Sequence, residues 1–396
     1  MAIESLYQFV SEQIAPRYVI KPIDIGQKDT TSWMTTDFIL NETDGPVTGL
    51  LINSHKPGPL FVGVSGIHGD EGDGGAANLQ TALLFRDKLL NGASISVLNT
   101  NPWACRAQQR IAPDKEFNQN LNTLFGIESP QTPLEQHAST LFNMIVKTIN
   151  DNPEKGVVTD YHSEGRSDRS IPYIRIDRTD NDELQELLLC LGLVSGLPMV
   201  MEYADLKNEG LEHALSTALV RQGIPALTIE VGSGADLNTY NIGLATSAAE
   251  RIGAFLKMLP DQGQPELKWQ GLHQLANIYA YKADGTRFER SATLYLPEKF
   301  LQPEQVITIP ANEQGTRGVG HLSPYTLQDD NKLQTVFPGF DTALDHDIKA
   351  IVISLIPAYQ EFDPLNPLCT AAIPETDSRL LGIYQGALKR IFGTVD

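Results

Sequence analysis

Short apolar runs alternate with amphipathic segments along the middle of the chain. The run at 60–64 predicts a buried strand, and the apolar spacing that follows Ala76 predicts a helix. The same alternation continues to residue 260, with strands at 94–99, 156–162, 197–203 and 225–230, and helices at 134–150, 182–194, 211–223 and 243–258. Strands that alternate with helices indicate an α/β fold with a mixed, mostly parallel sheet flanked by helices.

The two ends of the chain have different patterns. Residues 2–14 have the apolar spacing of a helix, and residues 18–53 show the period-two alternation of an antiparallel sheet edge. After a polar linker at 261–266, short apolar runs separated by turns predict a smaller, mainly β domain that ends in a closing helix at 376–392. We therefore expect two domains, at 1–260 and 261–396.

Composition and charge narrow the class of protein. The chain has 396 residues, of which 41% are apolar and 20% charged, as in ordinary globular proteins. Its formal net charge of −19 argues against nucleic-acid binding, which depends on lysine and arginine contacts to phosphates. The three cysteines lie far apart, which favours reduced thiols. Neither a membrane span nor a signal peptide is recognisable, so we expect a cytoplasmic protein without a membrane partner.

Polar side chains with the chemistry of a metal site follow four of the predicted strands. In α/β sheets, ligands bind beyond the carboxyl ends of the strands. Side chains that follow these strands are therefore expected at one edge of the sheet, although each of them alone is more commonly a surface or structural residue. They are His68 and Glu71, Arg106 and Arg110, His162, and Glu230.

Two imidazoles and one carboxylate form the ligand set of a catalytic zinc site, which keeps a fourth position for water. His68, Glu71 and His162 provide such a set, and zinc held in this way lowers the pKa of its water to about 7. Asp160 precedes His162 by two residues on the same predicted strand, so both side chains point the same way. We expect Asp160 to orient the His162 imidazole.

The remaining polar residues supply candidates for the other roles in a hydrolytic reaction. Glu230 is the candidate general base, and Arg110 is the candidate for stabilising an oxyanion, because charge on that oxygen develops in the transition state. A guanidinium matches a carboxylate with two parallel hydrogen bonds. The candidates for binding a substrate carboxylate are Arg106, Arg166, Arg169 and Arg175.

Four segments in this order resemble the succinylglutamate desuccinylase/aspartoacylase family of the zinc carboxypeptidase clan: GIHGDEGDGG, NPWACRAQQR, DYHSEG and PALTIEVG. The resemblance covers roughly residues 45–255. It implies a carboxypeptidase-like core followed by a small β domain, with the zinc hydrolase in the larger domain. It also implies one zinc ion per chain on His68, Glu71 and His162, with Glu230 as the base, and hydrolysis of the amide bond of a small N-acyl amino acid.

The chain departs from this family at one motif. The family pattern Asp-Leu-Asn-Arg is here Asn120, Leu121, Asn122 and Thr123. Asn122 is kept as a candidate for substrate binding, but Thr123 stands where the family has the arginine that holds a substrate carboxylate. The substrate should therefore differ from N-acetylaspartate and succinylglutamate. The segment between Arg110 and Asn120 is also longer than is usual in the family, which bears on the assignment of Arg110.

These observations predict a zinc-dependent deacylase or amidohydrolase, with two alternatives. The first alternative is a metallocarboxypeptidase that acts on peptides, but Thr123 counts against it because a free C-terminal carboxylate needs a cation at that position. The second is a non-catalytic binding protein on the same scaffold, but Glu230 counts against it because such a protein has no chemical need for the base. The acyl group, the amino acid and the oligomeric state stay open.

Overall fold

The computed structural model describes most of the chain between residues 20 and 392, and all structural statements below concern these parts. They are residues 20–23, 32–39, 46–163, 169–203, 211–232, 237–263, 265, 272–281, 292–295, 306–309, 318–319, 325–329, 332–340, 348–355, 361–362, 369–375 and 377–392. The helix predicted at 2–14 lies outside the described residues.

The strands, in chain order, are β1 Ile20–Ile23, β2 Ser32–Ile39, β3 Pro46–Asn53, β4 Leu60–Ser65, β5 Ala93–Val97, β6 Gly156–His162, β7 Arg169–Ser170, β8 Tyr173–Asp177, β9 Val200–Tyr203, β10 Ala226–Glu230, β11 His273–Tyr281, β12 Ala292–Tyr295, β13 Val306–Ile309, β14 Gly318–Val319, β15 Tyr325–Asp329, β16 Lys332–Phe340, β17 Ile348–Leu355, β18 Glu361–Phe362 and β19 Cys369–Pro374.

The helices are α1 Gly72–Lys88, α2 Pro102–Ala107, α3 Pro133–Asp151, α4 Asp182–Ser195, α5 Leu215–Arg221, α6 Thr239–Phe255 and α7 Ser378–Phe392, with a 3-10 turn at Leu121–Thr123. None of the helices in the described parts of the chain is long and apolar enough to cross a membrane. The sequence pattern did not predict α2. Its start is explained by the Asn101 side chain, which accepts a hydrogen bond from the Ala104 backbone, and by Pro102 in the first turn.

Seven of the described strands form a central sheet in the order β3, β5, β4, β6, β10, β8 and β9. The pairs β5–β4, β4–β6, β6–β10 and β8–β9 are parallel, whereas β3–β5 and β10–β8 are antiparallel. The hairpin of β1 and β2 extends the sheet from β3 by antiparallel pairing. The predicted α/β fold with a mixed, mostly parallel sheet and an antiparallel edge is thus confirmed.

The register of three parallel strands places their carboxyl ends side by side. Ser65 at the end of β4 pairs with Tyr161 of β6, and His162 at the end of β6 pairs with Glu230 at the end of β10. All six positions of β4 are buried, as expected for a parallel strand covered on both faces. The chain segments that leave these strands therefore emerge at the same edge of the sheet, which we call the C-terminal edge.

The chain forms two compact units. The larger comprises Met1–Arg166, Pro172–Gln270 and Arg379–Asp396, and the smaller comprises Ser167–Ile171 and Gly271–Ser378. Within the smaller unit, β11 pairs with β16 and β19, and β17 pairs with β13 and β19, all antiparallel. The division of the chain at residue 260 stays a prediction.

The closing helix α7 is grouped with the larger unit, whereas the sequence pattern placed it in the smaller domain. Its buried side chains Leu380, Tyr384 and Ala387 recur at helical spacing. At its start, the Arg379 guanidinium donates to Asp182 of α4 at 2.7 Å. An amphipathic pattern predicts that one face of a helix is buried, but it does not indicate which part of the chain covers that face.

Candidate metal centre

His68 and Glu71 lie on the glycine-rich segment that connects β4 to α1. The Gly69 backbone N–H donates to the Gln109 carbonyl at 2.9 Å. A Cβ atom at Gly69 would overlap the backbone of Ala104, so only glycine fits where these two segments cross. Glu71 occupies the N-cap position of α1, but its side chain makes no cap hydrogen bond to that helix. Its carboxylate is therefore available to the two histidines.

The Glu71 carboxylate bridges the two imidazoles. Its Oε1 atom lies 2.6 Å from His68 Nδ1, and its Oε2 atom lies 2.8 Å from His162 Nδ1. The Ser163 backbone N–H donates to the same Oε2 at 3.1 Å. All three side chains are buried, and one ligand atom from each lies within 4.8 Å of the others. The structure thus brings together the three residues that the sequence pattern predicts as metal ligands.

The second nitrogen of each imidazole also has an acceptor. Nε2 of His162 lies 3.1 Å from Asp160 Oδ2, as the alternation along β6 predicts. Nε2 of His68 lies 3.0 Å from the Asn120 side-chain oxygen. Metal-ligating histidines typically donate their second N–H to a carboxylate or carbonyl, which orients the ring. Both imidazoles therefore present Nδ1 to the same point, as two ligands of one ion would.

Electrostatics couple these buried groups. Burial raises the pKa of Glu71, but the neighbouring His68 and His162 outweigh burial and hold that pKa well below its usual range. Burial lowers the pKa of His162, but the carboxylates of Asp160 and Glu71 outweigh it and raise that pKa well above the ordinary value. The close contact between the Glu71 carboxylate and the His162 imidazole thus favours the charged form of each group.

Two further predicted residues, Arg110 and Glu230, lie beside the three predicted metal ligands. The Arg110 guanidinium donates to Glu71 Oε1 at 2.9 Å, although 52% of its side chain is exposed. Glu230 pairs in register with His162, and the backbone N–H that follows Glu230 donates to the His162 carbonyl at 2.8 Å. Arg106 lies on α2 and is exposed. The C-terminal edge thus carries a cation and a second carboxylate beside the ligand cluster.

The predicted substrate arginine Arg175 belongs to a different environment. It pairs in register with Thr228, two residues before Glu230 on β10, and is therefore set back from the C-terminal edge. Its guanidinium is buried and donates to Asp177 at 3.1 Å and to the Ser216 hydroxyl at 2.8 Å. These interior contacts speak against a contact with substrate. Arg166 and the side chain of Arg169 lie outside the described residues.

The motif that departs from the family forms the 3-10 turn Leu121–Thr123. The buried Asn122 side-chain oxygen accepts from the Leu215 backbone N–H at 3.3 Å, which leaves the amide N–H groups of Asn122 as donors. The Thr123 hydroxyl donates to the Asn120 carbonyl at 2.8 Å. The contact between Asn120 and His68 was not predicted, because the two residues lie 52 positions apart and only the fold brings them together.

Comparisons with known proteins show which family this chain resembles. A sequence profile described as the succinylglutamate desuccinylase/aspartoacylase catalytic domain matches residues 57–256. N-alpha-acetyl-L-2,4-diaminobutyric acid deacetylase of Halomonas elongata is 30% identical over 177 residues, which are 45% of this chain and 48% of that protein. The matched part of the chain thus spans about half the length of this curated relative.

Solved structures show the same fold. Succinylglutamate desuccinylase/aspartoacylase from Rhodobacter sphaeroides has a TM-score of 0.63 at 15% identity and covers 90% of this chain and 99% of its own. The product-bound ectoine utilization protein EutE (DoeB) from Ruegeria pomeroyi has a TM-score of 0.65 at 16% identity, with the same coverage of 90% and 99%. These likenesses confirm the predicted fold class.

Proposed function

Because the chain belongs to the succinylglutamate desuccinylase/aspartoacylase family, we propose that it is a zinc-dependent amidohydrolase that removes the acyl group from an N-acyl amino acid. The observation that carries this proposal is the buried group of His68, Glu71 and His162, whose ligand atoms lie within 4.8 Å of one another. The deacetylase from Halomonas elongata, which acts on an N-acetylated diamino acid by its name, supports the same reaction class.

The residues present fit a zinc ion. Two imidazole nitrogens and one carboxylate match the ligand chemistry of catalytic zinc sites. Both rings are held through their second nitrogen, so Nδ1 of each is directed at the Glu71 carboxylate. Zinc held by His68, Glu71 and His162 would supply a Lewis acid for the substrate carbonyl and would lower the pKa of a bound water molecule.

Glu230 acts as the general base in this proposal. Its place next to His162 at the C-terminal edge puts a carboxylate beside the ligand cluster. Glu230 accepts a proton from the attacking water and then delivers it to the nitrogen of the leaving amine. The amide C–N bond breaks, and the products are a carboxylic acid and an amino acid.

Arg110 stabilises the negative charge that develops on the carbonyl oxygen. In the metal-free protein its guanidinium donates to Glu71, while half of the side chain faces solvent. If Glu71 were bound to a metal ion, the N–H groups of Arg110 would be available to donate to the substrate. Such donors act mainly in the transition state, where the charge is largest.

The turn at 121–123 bears on the substrate. Thr123 carries no charge, and its hydroxyl is already bound to the Asn120 carbonyl. Asn122 contributes neutral amide donors because its oxygen is bound to Leu215. We therefore expect the site to favour N-acyl amino acids whose side chain and acyl group carry no carboxylate, unless Arg106 supplies the missing cation.

A panel of substrates tests this proposal. The zinc-loaded protein is assayed with N-acetyl-2,4-diaminobutyrate, N-acetylaspartate, N-succinylglutamate and short peptides, and the released amine is measured. We expect the first compound to be hydrolysed in preference to the two acidic ones. Preferential cleavage of peptides at their C-terminus would favour a carboxypeptidase instead, and zinc binding without any turnover would favour a binding protein.

Glu230→Gln is the matched variant for the mechanism, because it keeps the size of the side chain and removes the base. It should retain zinc and lower kcat by about 10²–10⁴-fold. A variant as active as the wild type would remove Glu230 from the proposed role.

A further inference from the structure

The two imidazoles of the metal centre are held by chemically different groups. A carboxylate, Asp160, accepts from His162 on the same strand at 3.1 Å. A neutral amide, Asn120, contacts His68 from the 3-10 turn at 3.0 Å. The two ligands are otherwise alike, because both are buried and both approach Glu71 through Nδ1.

The identity of the Asn120 atom that meets His68 follows from a second contact. The same side-chain atom lies 3.1 Å from the Asn122 backbone nitrogen. A backbone N–H can only donate, so this atom is the amide oxygen and not the amide nitrogen. An oxygen that accepts from His68 requires the hydrogen to be on Nε2. Nδ1 is therefore the nitrogen that faces Glu71 and is the atom through which His68 would bind a metal ion.

The Asn120 oxygen is held in place by the turn that follows it. Asn120 is the N-cap of the turn Leu121–Thr123, and its carbonyl accepts from the Thr123 backbone at 3.0 Å and from the Thr123 hydroxyl at 2.8 Å. Asn122 is bound in turn to the first residue of α5, Leu215. The acceptor for His68 is thus preorganised by local backbone structure.

We propose that Asn120 is the positioning residue of His68, and that its neutral amide makes His68 the weaker of the two imidazole ligands. This inference rests on the zinc site proposed above. A carboxylate behind an imidazole raises the basicity of the ring and strengthens its bond to a metal, and an amide oxygen does so less. Asn120 orients His68 without adding a third carboxylate to a centre that already contains Glu71 and Asp160.

Two substitutions at Asn120 are expected to change zinc affinity in opposite directions. Asn120→Asp keeps an oxygen for both His68 and the Asn122 backbone and adds a charge, so zinc should bind about tenfold more tightly. Asn120→Ser keeps a residue that caps the turn well, but its hydroxyl is one bond shorter and withdraws from His68. Zinc should then bind about 10–100-fold more weakly.

Asn181→Asp is the matched control. Asn181 is also an N-cap, whose oxygen accepts from the Leu184 backbone at 3.1 Å, and it begins the exposed start of α4. It follows β8, which runs antiparallel to β10, so it lies away from the C-terminal edge. The side chain of Asn181 is bonded to the start of a helix and not to an imidazole of the metal centre. The same chemical change there should therefore leave zinc affinity within about twofold of the wild type.

The experiment is a competition titration of the full chain with a zinc-binding chromophore, together with a nitrogen-15 NMR spectrum of the histidine rings. We expect the opposite shifts in zinc Kd described above, and an Nε2-bound proton on His68 in the wild type and Asn120→Asp that is lost in Asn120→Ser. Equal zinc Kd values for wild type and both Asn120 variants would overturn the inference. A wild type that binds no zinc would overturn the proposed function, and the His68 proton would then decide separately whether Asn120 holds the ring.

Discussion

Two buried polar clusters lie in the larger unit, and they differ in how completely their hydrogen bonds are satisfied. The first is the metal centre, built around Glu71. The second, which we call the Asp177 cluster, consists of Arg175, Asp177, Ser216 and Thr217. In the Asp177 cluster the carboxylate accepts from the guanidinium at 3.1 Å and from the two hydroxyls at 2.8 and 2.9 Å. Every member is buried, and the charges of Arg175 and Asp177 compensate each other.

The metal centre is open by comparison. Asp160 Oδ1 and the Ser163 hydroxyl are buried and have no hydrogen-bond partner within the described parts of the chain. The cation of the centre, Arg110, is half exposed, whereas Arg175 is enclosed. A cluster with satisfied partners stabilises the fold, whereas a buried cluster with unsatisfied atoms and an exposed cation has the capacity to bind a ligand.

The same substitution in the two clusters gives the sharpest contrast. Asp177→Asn leaves the Arg175 guanidinium buried without a countercharge, so the free energy of unfolding should fall by about 3–5 kcal/mol. Zinc affinity should not change. The measurement is denaturant unfolding of the metal-free protein, combined with a zinc titration.

Asp160→Asn is the matched variant, because Asp160 is equally buried and also contacts a basic side chain. Its metal-free form should be destabilised less than Asp177→Asn, since one oxygen of Asp160 has no partner to lose. Its zinc affinity should fall about 10–100-fold. If the two variants lost stability and zinc affinity in the same proportion, the distinction between the clusters would be wrong.

Glu71→Gln tests the ligand role at the centre. Zinc that binds only the folded wild type stabilises it by about 4.1 kcal/mol at a free concentration 1,000-fold above Kd. Glutamine keeps the shape of the side chain but removes the anion that both imidazoles face, so this zinc-dependent stabilisation should disappear. Unfolding with and without zinc measures it, and Asp177→Asn, which should keep the full zinc effect, serves as the control.

A buried histidine outside both clusters gives a smaller effect with a defined sign. His137 Nε2 donates to the Thr100 carbonyl at 2.7 Å, and burial lowers the pKa of His137 to about 4. Between that value and its ordinary value of about 6.5, the unfolded chain binds a proton that the folded protein does not. Stability is therefore lost as the pH falls through this window, by about 2 kcal/mol at pH 5.

His137→Gln should remove this dependence, so the loss of stability between pH 7 and pH 5 becomes smaller than in the wild type. Urea unfolding at the two pH values measures the difference. An unchanged pH dependence would show that His137 is not the group responsible. The contribution of His162 to the pH dependence of stability has the opposite sign to that of His137. Because the pKa of His162 is raised in the folded protein, this residue contributes stability at low pH, and that contribution is lost as the pH rises through the folded pKa.

The sequence predicted the parts of this centre that follow from local periodicity. Period-two alternation placed Asp160 and His162 on one face of β6, and the ends of β4 and β10 followed from their apolar runs. Contacts between distant segments were not accessible in this way. Asn120 reaches His68 through the path of a loop, and the contact of Arg175 with Ser216 on α5 likewise depends on the fold.

Zinc content measured by elemental analysis tests the ligand cluster most directly. Wild type, Glu230→Gln and His162→Ala are stripped with a chelator, reloaded with zinc and desalted. We predict one zinc per chain in wild type and Glu230→Gln, because the base is not a ligand, and a loss of bound zinc in His162→Ala. A wild type without zinc, or a His162→Ala variant with the same content as the wild type, would contradict a metal centre at His68, Glu71 and His162.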